Sequence, residues 1–251
     1  MSAKIVTAAM VAIGDELLSG KTKDKNIAHL ADMLTTAGID LKEVRIVGDD
    51  EDAIVSAINE LRPRYTYIFT SGGIGPTHDD ITAQAVSKAF DLPCEYDQKT
   101  LEMMGAVYEA RNLEFTEARK RMARMPHGAE HIKNRVSVAP GFTIGNVHVM
   151  AGVPSIFQAM LDWLLPTLET GSVIHSKIVD CPYGEGTIGE GLELIQEEHR
   201  DTVIGSYPRF DGETYSTQIV VRSREIDAID RAVVAVNAML SDIKAEKAAK
   251  G

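Results

Sequence analysis

The sequence predicts an α/β protein: a mostly parallel sheet with helices on both faces, followed by a small α+β module. Two observations lead to this fold class. Up to about residue 170, apolar runs alternate with segments of helical periodicity, the pattern of a sheet built from β-α-β units. Beyond that point the order becomes β-α-β-β-α, with two strands joined by a short turn. We therefore expect two domains, at residues 1–170 and 171–251.

The first domain begins with three predicted β-α pairs. The run "YTYIFTS" is rich in the aromatic and β-branched residues of buried strands, and "DEDAIVSAINEL" has the acidic first turn of a helix. The predicted strands are 4–13, 39–47 and 65–71, and the predicted helices are 24–38, 50–61 and about 79–90. There follow a helical segment at 97–125, strands around 129–133 and 142–150, and a helix after the turn "AGVPS" (151–155).

The second module is predicted to contain three strands and two helices. The strands are 173–180, 202–208 and 214–223, the helices are 187–198 and about 225–245, and "FDGE" (210–213) forms a turn. The tetrapeptide "GTIG" (186–189) has the GxxG form of KH-type RNA-binding loops. Acidic residues flank it and outnumber basic ones in the module, so a packing or dimer-forming role is favoured over RNA binding.

Composition narrows the classes of function. The formal net charge of −11, from 37 acidic and 26 basic residues, disfavours non-specific binding to nucleic acid or anionic membranes. Cys94 and Cys181 are far apart in the chain and in no metal-binding spacing, which indicates a reducing compartment. No run approaches the ~18 apolar residues of a membrane span. A soluble, cytoplasmic protein is expected.

The segment "TSGGIGPTHDD" (70–80) is the main functional signal. It is neither a Walker A loop, because no GK[ST] follows, nor a dinucleotide fingerprint, because His78 stands where glycine is needed. One interpretation is a capped helix, with Thr77 at the N-cap and Asp80 three residues later. The other is a phosphate site, because three glycines at a strand-to-helix turn direct backbone N–H groups at one point.

Two aspartates beside a phosphate site would repel the phosphate unless a cation lies between them. Mg²⁺ is commonly held by one or two carboxylates together with substrate phosphates. The loops "GDE" (14–16) and "GDD" (48–50) follow the first two predicted strands, so their carboxylates should reach the same edge of the sheet as Asp79 and Asp80. The phosphate-plus-cation interpretation is therefore favoured over a helix cap alone.

Five motifs together identify a family resemblance: "GDELLSG", "DKN", "VGDD", "GGIGPTHDD" and "AGVPS". In this order and spacing they resemble the MoaB/Mog-type molybdopterin-binding domain, in the variant found in CinA-type proteins and at the amino end of eukaryotic FAD synthases. The resemblance covers about residues 4–170. Residues 171–251, with "GSYP" at 205–208, resemble the small module that follows this domain in CinA-type proteins.

The resemblance implies two kinds of chemistry. Some relatives bind molybdopterin; CinA-type and FAD-synthase relatives hydrolyse ADP-ribose or FAD with a divalent metal (Mg²⁺, Mn²⁺ or Co²⁺) and potassium. It implies Asp49 and Asp80 as metal ligands and, with Asp79, as catalytic residues. It also implies a homo-oligomer, a dimer or trimer. The candidate phosphate- or ligand-binding residues are Gly14, Asp15, Glu16, Ser19, Asn26, Ser71, Gly72, Gly73, Gly75, Thr77, Gly152, Pro154 and Ser155.

Three departures from the family pattern stand out. Lys25 replaces the usual Thr of D-T-N, and Ala151 replaces the first residue of P-G-V-P. The chain also stops before the nicotinamide-mononucleotide deamidase domain of full CinA-type proteins, so that activity is not carried over.

Several other patterns are weaker. "HGAEH" (127–131) matches H-x-x-E-H, but Pro126 and Gly128 oppose the helix that a zinc site of this type requires. The basic run "RKRMAR" (119–124) is interpreted as a solvated helix face. Lys21, Lys23 and Lys25 form either a solvated cluster or a positive charge near a phosphate. For His78 a surface position and a contact with phosphate remain equally open.

The sequence thus leaves two main functions open, besides an interaction protein whose pocket is a relic and which would show neither ligand binding nor product release. The favoured one is metal-dependent hydrolysis of a nucleotide pyrophosphate such as ADP-ribose or FAD, yielding AMP. The alternative is a molybdopterin-binding protein with little or no turnover.

Overall fold

The computed structural model describes residues 4–210 and 214–250, and these form two compact units. One unit ends at Gly171 and the other begins at Ser172. The predicted "FDGE" turn falls largely on residues 211–213, outside the described residues.

The first unit is built on a six-stranded sheet. Its strands are β1 (Val6–Ile13), β2 (Ile39–Val47), β3 (Tyr67–Ser71), β6 (Glu130–Ile132), β7 (Gly141–Ile144) and β8 (Val147–Met150), and a separate pair is formed by β4 (Cys94–Tyr96) and β5 (Arg124–Pro126). The order across the sheet is β2-β1-β3-β8-β7-β6. The first four strands are parallel, and β7 and β6 add an antiparallel edge. The predicted fold class, a mostly parallel sheet, is confirmed.

Helices cover both faces of this sheet. They are α1 (Asp15–Leu18), α2 (Asn26–Thr36), α3 (Glu51–Leu61), α4 (Thr82–Ala89), α5 (Gln98–Ala110), α6 (Glu117–Lys120) and α7 (Pro154–Leu164). The central strand β1 explains the arrangement, because its side chains alternate between two cores. Val11 packs with α3 and α4 on one face, and Met10 packs with α2 and α7 on the other. Both side chains are fully buried.

Three predicted elements of this unit are wrong in detail. The helix expected at about 79–90 begins only at Thr82. The segment 97–125 is not one helix: α5 ends before Asn112, whose φ of 52° is left-handed, and the chain then turns back to form β5. The strand expected at 142–150 is a hairpin, since Gly145 at φ 55° and Asn146 form the turn between β7 and β8.

The second unit is the predicted small α+β module. Its three-stranded antiparallel sheet has the order β10-β11-β9, from β9 (His175–Cys181), β10 (Val203–Phe210) and β11 (Tyr215–Ser223). Helices α8 (Glu185–Glu198) and α9 (Ile226–Lys250) share one core with one face of that sheet. "GTIG" lies inside α8 and forms no separate loop.

Within the described residues, none of the helices combines the length and the apolar character that crossing a membrane requires.

Candidate functional site

A cavity of about 390 Å³ opens at the carboxyl ends of the parallel strands. Such strands end at the same edge of a sheet, so loops that are far apart in sequence meet there. Residues after β1, β2, β3 and β8 all line this cavity. The lining contains ten of the predicted site residues: Gly14, Glu16, Asp49, Gly72, Gly73, Gly75, Thr77, Asp79, Asp80 and Gly152.

The first two glycines of the loop after β3 are required by backbone geometry. Gly72 has φ 109° and Gly73 has φ 67°, both in the left-handed region. A side chain at Gly72 would collide with the backbone oxygen of Ile13, and one at Gly73 with the hydroxyl of Thr82. The loop thus lies directly against the end of β1 and the start of α4, where the hydroxyl of Thr82 donates to the carbonyl of Gly72 at 3.0 Å.

The loop also presents backbone donors to the cavity. The N–H of Gly72 already donates to the carbonyl of Met150 at 3.1 Å, so it does not contribute. Within the described part of the chain, the N–H groups of Gly73, Ile74 and Gly75 have no protein acceptor. Adjacent N–H groups of this kind suit an anion such as phosphate.

Three acidic side chains fold back against glycines at the strand ends. At each place, a Cβ on the glycine would lie far inside van der Waals contact of a carboxylate oxygen. A larger residue at any of these glycines would therefore displace the carboxylate from its present position. The pairs are Gly14 with Glu16, Gly48 with Asp15, and Gly75 with Asp80.

Asp80 braces the glycine loop. Its Oδ2 accepts hydrogen bonds from the N–H of Thr77 at 2.8 Å and from the Thr77 hydroxyl at 2.5 Å. The expected position of Thr77 as the helix N-cap is wrong, because this turn lies before α4, whose N-cap residue is Ile81. One oxygen of Asp80 is thus engaged in the turn, while the residue still lines the cavity.

Asp49 and Asp15 connect the ends of β1 and β2. The N–H of Asp15 donates to Oδ2 of Asp49 at 3.0 Å, and the N–H of Asp49 donates to Oδ1 of Asp15 at 3.3 Å. Burial raises the pKa of Asp49, and the nearby carboxylates of Asp15, Glu16 and Asp79 raise it further. The pKa of Asp79 is lowered, chiefly by the neighbouring Thr77, with smaller contributions from His78 and Arg121.

Asn26 fixes a smaller neighbouring cavity of about 60 Å³. Its side chain is 3% exposed, and its Nδ2 donates to Oγ of Ser71 at 2.7 Å and to the carbonyl of Gly152 at 2.8 Å. It thereby ties α2 to the loops after β3 and β8. The predicted site residues that line this second cavity are Glu16, Asn26, Ser71, Gly152 and Pro154, together with Lys23 and Lys25. Ser19 and Ser155 line neither cavity.

Part of the cavity wall was not expected from the sequence. Its apolar side comes from residues outside the predicted site set: Met122 of the "RKRMAR" segment, Ala139 and Pro140 in the loop before β7, Val153 of "AGVPS", and Ile156 and Met160 in α7. The basic run at 119–124 was predicted to be a solvated helix face. In the structure its residues are only partly exposed, and Ala123 is buried. Nη2 of Arg121 donates to the carbonyl of His78 at 3.4 Å, beneath the glycine loop. The "RKRMAR" segment reaches this loop only through the tertiary fold. The local sequence pattern could not predict the contact, because Arg121 and His78 are 43 residues apart.

"HGAEH" is not a metal site of the H-x-x-E-H type. His131 lies in strand β6, where its Nε2 is 2.9 Å from Oδ1 of Asp97, and His127 pairs with Glu95 at 2.6 Å.

The residues of the main cavity fit a divalent cation. Four carboxylates line it, those of Glu16, Asp49, Asp79 and Asp80, and repulsion from Glu16 and Asp79 contributes to the raised pKa of Asp49. Across the described residues, no group of three or more His, Cys, Asp or Glu side chains is placed to hold a metal by itself. A cation here would need ligands from water or a bound phosphate, as is usual for Mg²⁺.

Comparison with known proteins places these features in a family. Residues 9–170 match the model described as "Probable molybdopterin binding domain", and residues 173–249 match "FAD synthase, middle domain". An Archaeoglobus fulgidus protein is 30% identical over 200 residues, 80% of this chain and 85% of that protein. A Saccharolobus islandicus protein is 39% identical over 212 residues, 80% of each chain.

A solved structure shows the same fold in the first unit. The crystal structure of the protein CinA with unknown function from Thermoplasma acidophilum is 28% identical, with a TM-score of 0.59. It covers 65% of this chain and 98% of its own. The family match spans more than half of the chain and contains the whole cavity. The chain therefore belongs to the probable molybdopterin binding domain family and carries a second unit of the FAD synthase middle-domain type.

Proposed function

We propose that this chain hydrolyses the pyrophosphate bond of a nucleotide such as ADP-ribose or FAD with the help of a divalent cation. Water would attack one phosphorus, the P–O–P bond would break, and AMP and a second phosphate monoester would leave. One observation carries the proposal: the loop whose N–H groups suit a phosphate shares its cavity with four carboxylates. An anion and these carboxylates are compatible only when a cation balances them.

The chain's own residues have separate roles in this scheme. The N–H groups of Gly73 and Gly75 bind the phosphate, and Gly72 shapes the loop. Asp49 and Asp80 would hold the cation, which the family resemblance also implies, and Asp79 adds a further negative charge to the cavity lining. When bound, Mg²⁺, Mn²⁺ or Co²⁺ supplies charge stabilisation and a more acidic water, and K⁺ is a second proposed requirement.

The cavity walls support a nucleotide over a simple phosphate. Its apolar side, which includes Pro140, Val153 and Met160, offers a surface for a flat ring. The second unit matches the middle domain of FAD synthase, which supports a nucleotide-related role. At about 390 Å³ the cavity suits a nucleotide-sized group.

The decisive variant is Asp80→Asn, which keeps the shape of the side chain and removes its charge. AMP release from ADP-ribose is expected to fall about a hundredfold or more, because the cation loses a charged ligand. Asp32→Asn is the matched control, since Asp32 is exposed on α2 and outside the cavity. Equal rates in both variants, with unchanged melting temperatures, would refute the assignment of Asp80.

A molybdopterin-binding role is the second candidate, and the family match favours it. A pterin ring and its phosphate would use the same apolar wall and N–H groups. Binding of molybdopterin without AMP release from ADP-ribose or FAD would support this alternative.

A further inference from the structure

A second cleft, of about 410 Å³, lies on the other side of the glycine loop. We name it the basic cleft; its residues are Pro76, His78, Tyr96, Glu117, Arg121 and Arg124. Pro76 lines both the main cavity and the basic cleft. A narrow gap lined by Gly75, Asp80 and the two arginines lies between them. The two sites therefore adjoin at the glycine loop, with a gap of about 10 Å³ between them.

The two sites carry opposite charge. Four carboxylates and no lysine or arginine line the main cavity. The basic cleft has two guanidinium groups, and its one carboxylate, Glu117, is already paired with Lys120 at 2.6 Å. In a chain with a net charge of −11, a local concentration of positive charge beside an acidic cavity favours an anionic group at that place.

Arg121 is poised at the boundary of the two sites. Its Nη2 donates to the carbonyl of His78, but its Nε is buried and has no partner among the described residues. A buried donor without an acceptor is unfavourable, and an anion bound beside this side chain would satisfy it.

Tyr96 and Arg124 form a flat surface at the outer part of the cleft. The guanidinium of Arg124 lies 5.0 Å from the centre of the Tyr96 ring, and its Nη2 donates to the Tyr96 hydroxyl at 3.1 Å. Tyr96 is 41% exposed. An exposed ring held in place by an arginine suits a sugar or a planar base.

We propose that the basic cleft binds the second half of a two-part pyrophosphate substrate. Arg121 contacts the phosphate of that half, and Tyr96 with Arg124 contacts the sugar or base attached to it. The identity of the ligand rests on the proposed function. The cleft explains how a site with four carboxylates selects a molecule with two linked phosphates: the cation balances one phosphate and the arginines balance the other.

Binding tests this without turnover. The probes are the α,β-methylene analogue of ADP-ribose, whose P–C–P bridge resists hydrolysis, and AMP, each titrated calorimetrically into the full chain with Mg²⁺. The unchanged protein is expected to bind the analogue at least about tenfold more tightly than AMP. Arg124→Gln, Arg121→Gln and Tyr96→Leu are each expected to remove most of that difference and to leave AMP binding within about twofold.

Arg111→Gln is the matched control, because Arg111 ends α5 on the exposed surface and does not line the cleft. Equal affinity of the unchanged protein for the analogue and AMP would overturn the inference. So would variants that weaken both probes equally, since their effect would then lie in the main cavity. If the unchanged protein prefers the analogue over AMP but releases no AMP from ADP-ribose, the inference about the cleft stands and the proposed hydrolysis is wrong.

Discussion

At the residue scale, the question is why negative charges accompany the glycines of the loop after β3. Gly72 and Gly73 are needed because the backbone of β1 and the start of α4 come too close for a side chain. Gly75 allows the carboxylate of Asp80 to fold against it, and a side chain there would displace that carboxylate. The glycines and aspartates are therefore parts of one arrangement, in which a loop with unpaired backbone N–H groups has a carboxylate beside it.

Gly72→Ala tests the steric part of this account. The added Cβ meets the oxygen of Ile13 and the residue keeps a left-handed φ, so we expect a loss of about 2–4 kcal/mol in the free energy of unfolding. Gly20→Ala is the control, because Gly20 has φ 71° and nothing within 4 Å of its Cβ. Its expected loss is about 1 kcal/mol. Both free energies are measured by urea unfolding. Similar losses in both variants would show that the left-handed φ alone sets the cost and that the close approach to Ile13 adds nothing.

Adjacent aspartates after β2 have different tasks. Asp50 is the N-cap of α3, where its Oδ1 accepts from the N–H of Ala53 at 2.8 Å, whereas Asp49 lines the cavity. Asp50→Ala should cost about 1 kcal/mol of stability and change AMP release little. Asp49→Ala should reduce AMP release strongly. Paired measurements of melting temperature and rate check this, and a larger catalytic loss in Asp50→Ala than in Asp49→Ala would contradict it.

At the element scale, the sequence predicted best where one local pattern decides the structure. The buried strand β1 and the amphipathic helices α2 and α3 carry strong periodicity, and their positions agree within a few residues. The segment 97–125 was not predictable in this way. Its last residues leave the helix because β5 pairs with β4, a contact between distant parts of the chain. The start of α4 was misplaced for a related reason, since Asp80 bonds within a turn and not to a helix end.

The same distinction applies to the site. Topology alone indicated that the loops after β1, β2 and β3 would meet, and the structure brings Glu16, Asp49 and Asp80 to one cavity. Arg121 and the apolar wall were missed because the tertiary fold, and not a local sequence pattern, brings these residues to the site. The roles assigned to these residues stay predictions until activity is measured.

Asn26 tests how the elements around the site are tied together. Asn26→Ala would leave Ser71 and the carbonyl of Gly152 without their buried donor, so the free energy of unfolding should fall by about 2–3 kcal/mol. Asn237→Ala, at an exposed position of α9, should cost far less. Chemical unfolding of both variants provides the comparison. A neutral effect of Asn26→Ala would mean that the small cavity tolerates rearrangement.

At the scale of the whole molecule, one buried histidine should couple stability to pH. His148 is 4% exposed beside Tyr67 and Phe69, and burial lowers its pKa to about 4. The unfolded chain, with a histidine pKa of about 6.5, binds the proton first as pH falls. Stability is therefore full above about pH 6.5 and declines towards pH 4, by on the order of 3 kcal/mol.

His148→Gln should flatten this slope, while His127→Gln should retain it, because His127 is exposed. The single tryptophan, Trp163, lies in α7 and reports unfolding of the first unit by fluorescence. An unchanged slope in His148→Gln would assign the acid sensitivity to other groups.

The oligomeric state of the chain can be tested separately from its activity. A homo-oligomer, dimer or trimer, stays a prediction from the family resemblance, and light scattering of the full chain would measure it. A monomer at every concentration would overturn that prediction without affecting the cavity, which is lined entirely by residues of the first unit.

Release of AMP by the unmodified full chain tests the central claim most directly. The chain is incubated with ADP-ribose or FAD in K⁺ and Mg²⁺, Mn²⁺ or Co²⁺, and AMP is separated and quantified. We predict AMP in the presence of metal, and none after chelation or in Asp80→Asn. No AMP with any of the metals, in protein that still binds molybdopterin, would contradict the claim and leave a binding protein whose aspartates brace the loop.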